Sequence, residues 1–224
     1  MNVTADSHQG YRPGMGLGLL PAILGLLLLS ACISTTAPPK PTYYYTLDYE
    51  APSAQLNHQL PIALRIERFA ASPPFHTQRI IYAREGAQRN AYAYHQWIAA
   101  PTELVPYLLV RDLRETNGFK AVLTPDAPLT ATHSLHGWVE EFIEKDGAST
   151  GKAVATIHIS LINNMQPDPT RKILFQKRYH ASATCKAKTP SALAKAMSEV
   201  LAQISTDLSK DLHSRLSSAG KLNY

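Results

Sequence analysis

Cys32 stands directly after Leu29-Ser30-Ala31, at the end of an apolar run from Leu17 to Leu29. A thiol in that position can act as a nucleophile and accept a diacylglyceryl group as a thioether. The run is too short, and too interrupted by glycine and proline, to span a bilayer; it has the length of a secretory h-region. Ser30 and Ala31 are small enough for a signal peptidase's pocket. Leu29, Ser30, Ala31 and Cys32 together resemble the bacterial lipobox. Cleavage would leave Cys32 as an acylated N-terminus. Ahead of the run, Arg12 and the amino terminus supply the positive charge, and Met15 is an alternative start to Met1. The residue after the cysteine is Ile33, not the Asp that holds such proteins in the inner membrane, so sorting to the outer membrane is expected.

Other side chains with chemical potential read as inert. Glu140, Glu141, Glu144 and Asp146 are close enough in sequence for paired acid–base work. In an unbroken strand Glu140 and Glu144 share a face near Trp138, opposite Val139, Glu141 and Ile143. A catalytic pair also needs a cleft and a raised pKa, so a solvated strand face is expected. His133 and His136, three apart in a strand, face opposite sides and cannot chelate one metal together. Gly14, Gly16 and Gly18 mimic a nucleotide loop but follow no strand and lie in the segment to be removed. There is no phosphate-binding loop and no Gly-x-Ser-x-Gly elbow. Once Cys32 is acylated, Cys185 has no intrachain partner and reads as a buried small hydrophobe. No enzymatic activity, cofactor or metal is expected.

Composition agrees with a folded body. Of the 224 residues 45% are hydrophobic and 17% charged, and the net charge is +5. That charge is scattered, with no dense Lys/Arg stripe of the kind nucleic-acid binders carry. The chain divides into a removed signal segment (1–31), an acylated N-terminus with a Pro-rich tether (32–42), one domain (43–216) and a tail (217–224).

The domain's elements follow from periodicity. Tyr43 to Leu47 has strand composition. Ile62, Leu64 and Ile66 alternate with Arg65 and Glu67, as a half-buried strand requires. Arg79–Arg84 and Asn90–Trp97 flank a short Gly-containing loop and predict a hairpin, with Tyr92, Tyr94 and Gln96 alternating against Ala93, His95 and Trp97. A helix is predicted from Pro101 or Thr102 to about Glu115, ending at Asn117-Gly118, with Pro106 fitting only if the first turn is irregular or the helix properly starts near it. Further strands are predicted at Phe119–Leu123, Leu129–Lys145, Ala153–Leu161 and Lys172–Ala183. Leu193, Met197, Val200, Leu201, Ile204, Leu208 and Leu212 recur at helical spacing, capped by Thr189 or Ser191. Lys195, Glu199, Gln203 and Lys210 form the opposite, polar face. The expected fold class is α+β: a twisted, mostly antiparallel or mixed sheet with two helices packed on it, the C-terminal one amphipathic.

The order of these motifs is similar to that of a known family. Tyr43-Tyr44-Tyr45-Thr46-Leu47, Leu64 to Phe69, Pro74-Phe75 leading into Arg79 to Arg84, and Tyr94-His95-Gln96-Trp97 before Pro101 resemble the ABC-type transport auxiliary lipoproteins. These are relatives of the paraquat-inducible operon's outer-membrane lipoprotein. Gly137-x-Val139-x-x-Phe142 and the helix at Ala194 to Met197 agree, and the resemblance spans roughly residues 42–213. It implies a non-catalytic part of an intermembrane lipid-transport system, docking a periplasm-spanning mammalian-cell-entry (MCE) domain protein at the outer membrane. It also allows a homo-oligomeric ring, with the membrane engaged through N-terminal acyl chains. Phe75, Arg79, Tyr82, Tyr94 and Trp97 are the candidate partner-binding residues for such docking. A lipoprotein assisting assembly of a β-barrel or lipopolysaccharide complex is the alternative. A hydrolase using Glu140 and Glu144 is a more distant one.

Overall fold

The computed structural model describes residues 38–52, 56, 58–84, 86–147 and 150–221, with side chains described through 218. Its folded body begins at Pro41. Along the chain, Tyr43–Tyr45 forms β1, Leu60–Ile66 β2, Ala70–Ala71 β3, Arg79–Ala83 β4 and Asn90–Trp97 β5. Pro101–Glu115 is helix α1, followed by Phe119–Leu123 (β6), His133–Lys145 (β7) and Lys152–Asn163 (β8). Pro169–Lys172 forms a one-turn helix α2, Ile173–Thr184 is β9, and Pro190–Lys221 is the long helix α3. α3 takes in residues 217–221 of the stretch read as a tail.

All nine strands among the described residues join one curled, mixed sheet, and β7 is its spine. One edge of β7 pairs antiparallel with β8 from His133↔Asn163 to Lys145↔Lys152. The other edge takes three strands in succession, all parallel: β2 beside His133–Leu135, β3 beside Trp138-Val139, and β4 beside Glu144-Lys145. Backbone bonds from Glu67 to Leu135 and from Ser72 to Val139, both 2.9 Å, bridge the gaps between those segments. Outside them, β6 pairs with β2, β5 with β4, and β1 with β5, while β9 extends the far side beyond β8. The expected α+β class with a mixed sheet and two packed helices holds, and α2 is a small addition. Asp168 caps α2 by accepting the Thr170 amide at 2.9 Å.

Burial follows the sequence periodicities where one face is covered. Ile62, Leu64 and Ile66 are buried as expected. Leu193, Met197, Val200, Leu201, Ile204, Leu208 and Leu212 of α3 are buried, and Lys195, Glu199, Gln203 and Lys210 are exposed. Thr189 is the cap: its carbonyl accepts the Leu193 amide at 3.0 Å, and its hydroxyl accepts the Ala192 amide at 3.2 Å. α3 lies against β8 and β9 and touches α1. Gly137 of β7 admits the Phe69 ring, because a Cβ there would stand 2.2 Å from Phe69 Cε2.

Several boundaries differ from expectation. α1 runs unbroken through Pro106, which is buried inside it. Pro106 lacks the amide that would bond the 102 carbonyl and its ring crowds that carbonyl, but the loss falls in the first turns, where only one such bond is forfeited. At its end Asn117, not Gly118, takes the left-handed conformation (φ 51°). Gly118 is needed for space, since a Cβ would meet Leu56 Cδ1 at 2.2 Å. β7 begins at His133 rather than Leu129, because residues 124–127 close a turn through Ala127 N–H to the Thr124 carbonyl, 3.2 Å.

Candidate functional site

The clustered carboxylates do not share a face. Val139 pairs with Ile157 but Glu141 pairs with Thr156, so a β-bulge at Glu140 inverts the side-chain alternation beyond it. Glu140 therefore stands on one face of the sheet and Glu144 on the other, which corrects the expected pair. Glu140 accepts hydrogen bonds from Arg178 Nε at 2.7 Å and lies 2.7 Å from His158 Nε2, over which the Trp138 ring is tilted at 5.0 Å. Glu144 is buried and accepts a 2.7 Å bond from the Tyr92 hydroxyl. Burial and that bond push the Tyr92 phenol up from its ordinary range.

Hydrogen bonds from Arg178 and His158 hold the Glu140 carboxyl at about 2, below its ordinary 4.5. A lowered folded value means the ionised form favours the fold. The contribution is complete above 4.5 and disappears as pH falls through about 2. The stability difference between wild type and Glu140→Gln, read from urea midpoints, should therefore shrink steadily over that acid range. A difference independent of pH would contradict the assignment.

The histidines behave as expected for opposite sides of a strand. His133 Nδ1 lies 3.0 Å from Thr132 Oγ1, and His136 Nε2 lies 3.2 Å from Ser134 Oγ. Among the described residues no group of three or more His, Cys, Asp and Glu is placed to hold a metal ion. Cys185 is fully buried, and burial first, then the Glu144 charge, pushes its thiol upward. Such a thiol is a poor nucleophile.

The partner-binding residues read from the sequence separate into two groups. Phe75 and Trp97 are buried, with Trp97 edge-on to Phe142 at 5.4 Å. Their rings are core, because β5 turns Trp97 inward against β7. Arg79, Tyr82 and Tyr94 reach the surface at the corner built by β1, β5 and β4. There a bulge shifts the pairing from Arg79↔Gln96 to Ile81↔Ala91, breaking the expected alternation and bringing Tyr92 and His95 to one side. Ring follows ring: Tyr82 to Tyr92 at 5.0 Å, Tyr92 to His95 at 5.9 Å, His95 to Tyr43 at 5.4 Å, with Arg84 5.4 Å from the Tyr82 centroid. The Tyr45 hydroxyl and His95 Nδ1, 2.9 Å apart, fix the middle of this row.

A second surface lies on α1, and sequence reading missed it. Glu103, Tyr107 and Arg111, at helical i, i+4, i+8 spacing, form a ridge between two clefts of about 980 and 480 Å³. Tyr107 is 72% exposed, and Ile98 beside the smaller cleft is 54% exposed. The ridge is held from beneath. Buried Asp112 accepts bonds from Arg111 at 2.7 Å and from the Tyr49 hydroxyl at 2.7 Å. The Arg111 guanidinium also lies 4.4 Å from the Tyr49 ring centroid. In sequence, Tyr107 occupies an ordinary helix position, and only the chain packed around α1 makes it a prominence.

No catalytic constellation emerges from these features, and the decisive observation is a family match. The model for "ABC-type transport auxiliary lipoprotein component" matches residues 45–209, from β1 through most of α3. The chain belongs to that family. Its fold is shared with protein XCC0632 from Xanthomonas campestris, described under the family DUF330: TM-score 0.70 at 16% identity, covering 81% of this chain and 99% of that one. A second solved structure, of an uncharacterized protein, gives TM-score 0.61 at 15% identity, covering 77% of this chain and 99% of that one. No curated protein matches the sequence significantly. The protein is thus a lipoprotein component associated with ABC-type transport, and a membrane-anchored one. Among the described residues no helix is long and apolar enough to cross a membrane. Leu29, Ser30, Ala31 and Cys32 lie outside the described residues.

Proposed function

We propose that this lipoprotein is anchored in the outer membrane through acylated Cys32 and docks the periplasm-spanning MCE protein of an ABC-type lipid transporter, without catalysing a reaction. The observation that carries this reading is the family match over nearly the whole folded body. Cysteine usage supports the anchor. The chain has two cysteines, and Cys185 is sealed in the core, which leaves Cys32 for an acyl chain. Ile33 after it supports outer-membrane sorting. For docking, the α1 ridge offers an exposed aromatic on a rigid helix between two clefts, the usual form of an interface anchor.

The test is copurification from a membrane extract with an affinity tag at the C-terminus. Wild-type protein should bring down an MCE-domain protein; if none comes down, the docking role fails. Tyr107→Glu, on an exposed position, should weaken that recovery about tenfold or more while leaving the fold intact. Equal recovery would move the docking surface away from α1.

A further inference from the structure

The β1–β5–β4 corner concentrates features that neither the core nor the α1 ridge requires. Tyr43, Tyr44 and Tyr94 are 53%, 57% and 42% exposed. Tyr44 pairs with Gln96, which in turn pairs with Arg79, so Tyr44 and Arg79 flank Gln96 on neighbouring strands. Arg84 covers the Tyr82 ring, and Arg89 is fixed in the β4–β5 turn by bonds to the carbonyls of Gly86 and Gln88 at 3.1 and 3.2 Å. Between residues 76 and 97 the sequence holds these three arginines and one acidic residue, Glu85, while from β7 Glu144 pairs with Tyr82 and the Asp146 amide bonds the Ala83 carbonyl.

We propose that this corner rests on the bilayer itself, with Tyr43, Tyr44 and Tyr94 at headgroup depth and Arg79, Arg84 and Arg89 against anionic phospholipid. The proposal rests on the membrane-anchored reading given above. Residues 33–42 are all that separate Cys32 from β1, and three of them are proline. Extended, that tether reaches about 30 Å at about 3.1 Å per residue; as a flexible coil its mean span is roughly 17 Å. β1 is the first described strand along the chain after Cys32, so an anchor there would hold its surface at high local concentration near the lipid. Tyrosine suits that depth, since its ring is apolar and its hydroxyl stays hydrated. Arginines near an anionic surface add attraction that salt screens. Of these rings Tyr43 is already stacked on His95, 5.4 Å away, and His95 is in turn held by the Tyr45 hydroxyl at 2.9 Å. Trp138, also exposed, lacks this setting: it sits two residues from Glu140 on the sheet face that carries that carboxylate.

The test uses the mature chain with Cys32→Ser, so that no acyl chain contributes and the corner alone is read. Co-sedimentation is measured with vesicles of phosphatidylcholine mixed with phosphatidylglycerol, and with phosphatidylcholine alone. Binding to the mixed vesicles should exceed binding to the neutral ones and fall at high salt. A Tyr43→Ser, Tyr44→Ser, Tyr94→Ser variant should lose most of it, and Arg79→Gln with Arg84→Gln should lose roughly tenfold. Trp138→Ser should bind as the parent does. No binding to either vesicle, or equal binding by all variants, overturns the proposal. So does retained vesicle binding in the tyrosine variant together with lost recovery of a periplasmic protein, which would give the corner to a protein partner. The circular dichroism melt of each variant separates misfolding from lost affinity, and the arginine variant tests the surface even if the tyrosine variant is unstable. Failure here leaves MCE copurification through the α1 ridge untouched, because that experiment reads a different surface.

Discussion

Exchanging residues 1–31 for a cleavable secretory signal without a lipobox, together with Cys32→Ser, should release the protein from the membrane fraction into the soluble periplasm. Each buried acyl CH₂ contributes about 0.8 kcal/mol, and two or more chains on one residue give an anchor that survives washing. No described helix can replace it. The aromatic corner would remain, so the released protein should keep a weak, salt-sensitive association with anionic vesicles and nothing stronger. Mass spectrometry of the wild-type N-terminus should find the thioether on Cys32. A Cys32→Ser protein exported in this way that stays fully in the washed membrane pellet, or an unmodified thiol in the wild type, would remove the anchor from the account.

The largest effect on stability is expected from Phe142→Ala. Phe142 is buried on the β7 spine, edge-on to Trp97 of β5. Truncating a buried phenylalanine costs about 3–5 kcal/mol through lost transfer energy and the residual cavity. The lost ring pair accounts for about 0.5–1.5 kcal/mol of such an effect. Because β7 carries β8 on one edge and β4 on the other, the cavity would open where the two halves of the sheet meet. The urea midpoint should fall accordingly. A loss below about 1 kcal/mol would mean the site collapses easily and is not the mechanical link described. Phe142→Leu, which keeps most of the volume, should cost much less.

Most elements are legible along the chain because local periodicity reports which residues want burial. Ile62, Leu64 and Ile66, the α3 stripe from Leu193 to Leu212, and the Thr189 cap all follow from neighbours within a few residues. The places where periodicity fails are irregularities set by pairing. Glu140 and Glu144 would share a face in an unbroken strand, and the bulge against β8 parts them. Tyr92 and His95 should oppose each other, and the bulge against β4 unites them. A bulge belongs to two strands at once, so one strand's sequence does not reveal it.

The candidate surfaces divide in the same way. Cys32 and its neighbours are recognisable as a sequence signature because a processing enzyme reads residues in order on an extended chain. The family resemblance is legible for a related reason, as ordered motifs survive without knowledge of their packing. What only the tertiary structure decided is exposure. Phe75, Arg79, Tyr82, Tyr94 and Trp97 look alike as aromatic or basic residues, yet Phe75 and Trp97 are core, Tyr82 is half-buried, and Arg79 and Tyr94 are exposed. Tyr107 reads as one more helix residue until the chain around α1 leaves clefts on both sides of it. Burial is a property of contacts between segments far apart in sequence, so it is settled when the sheet closes and not before.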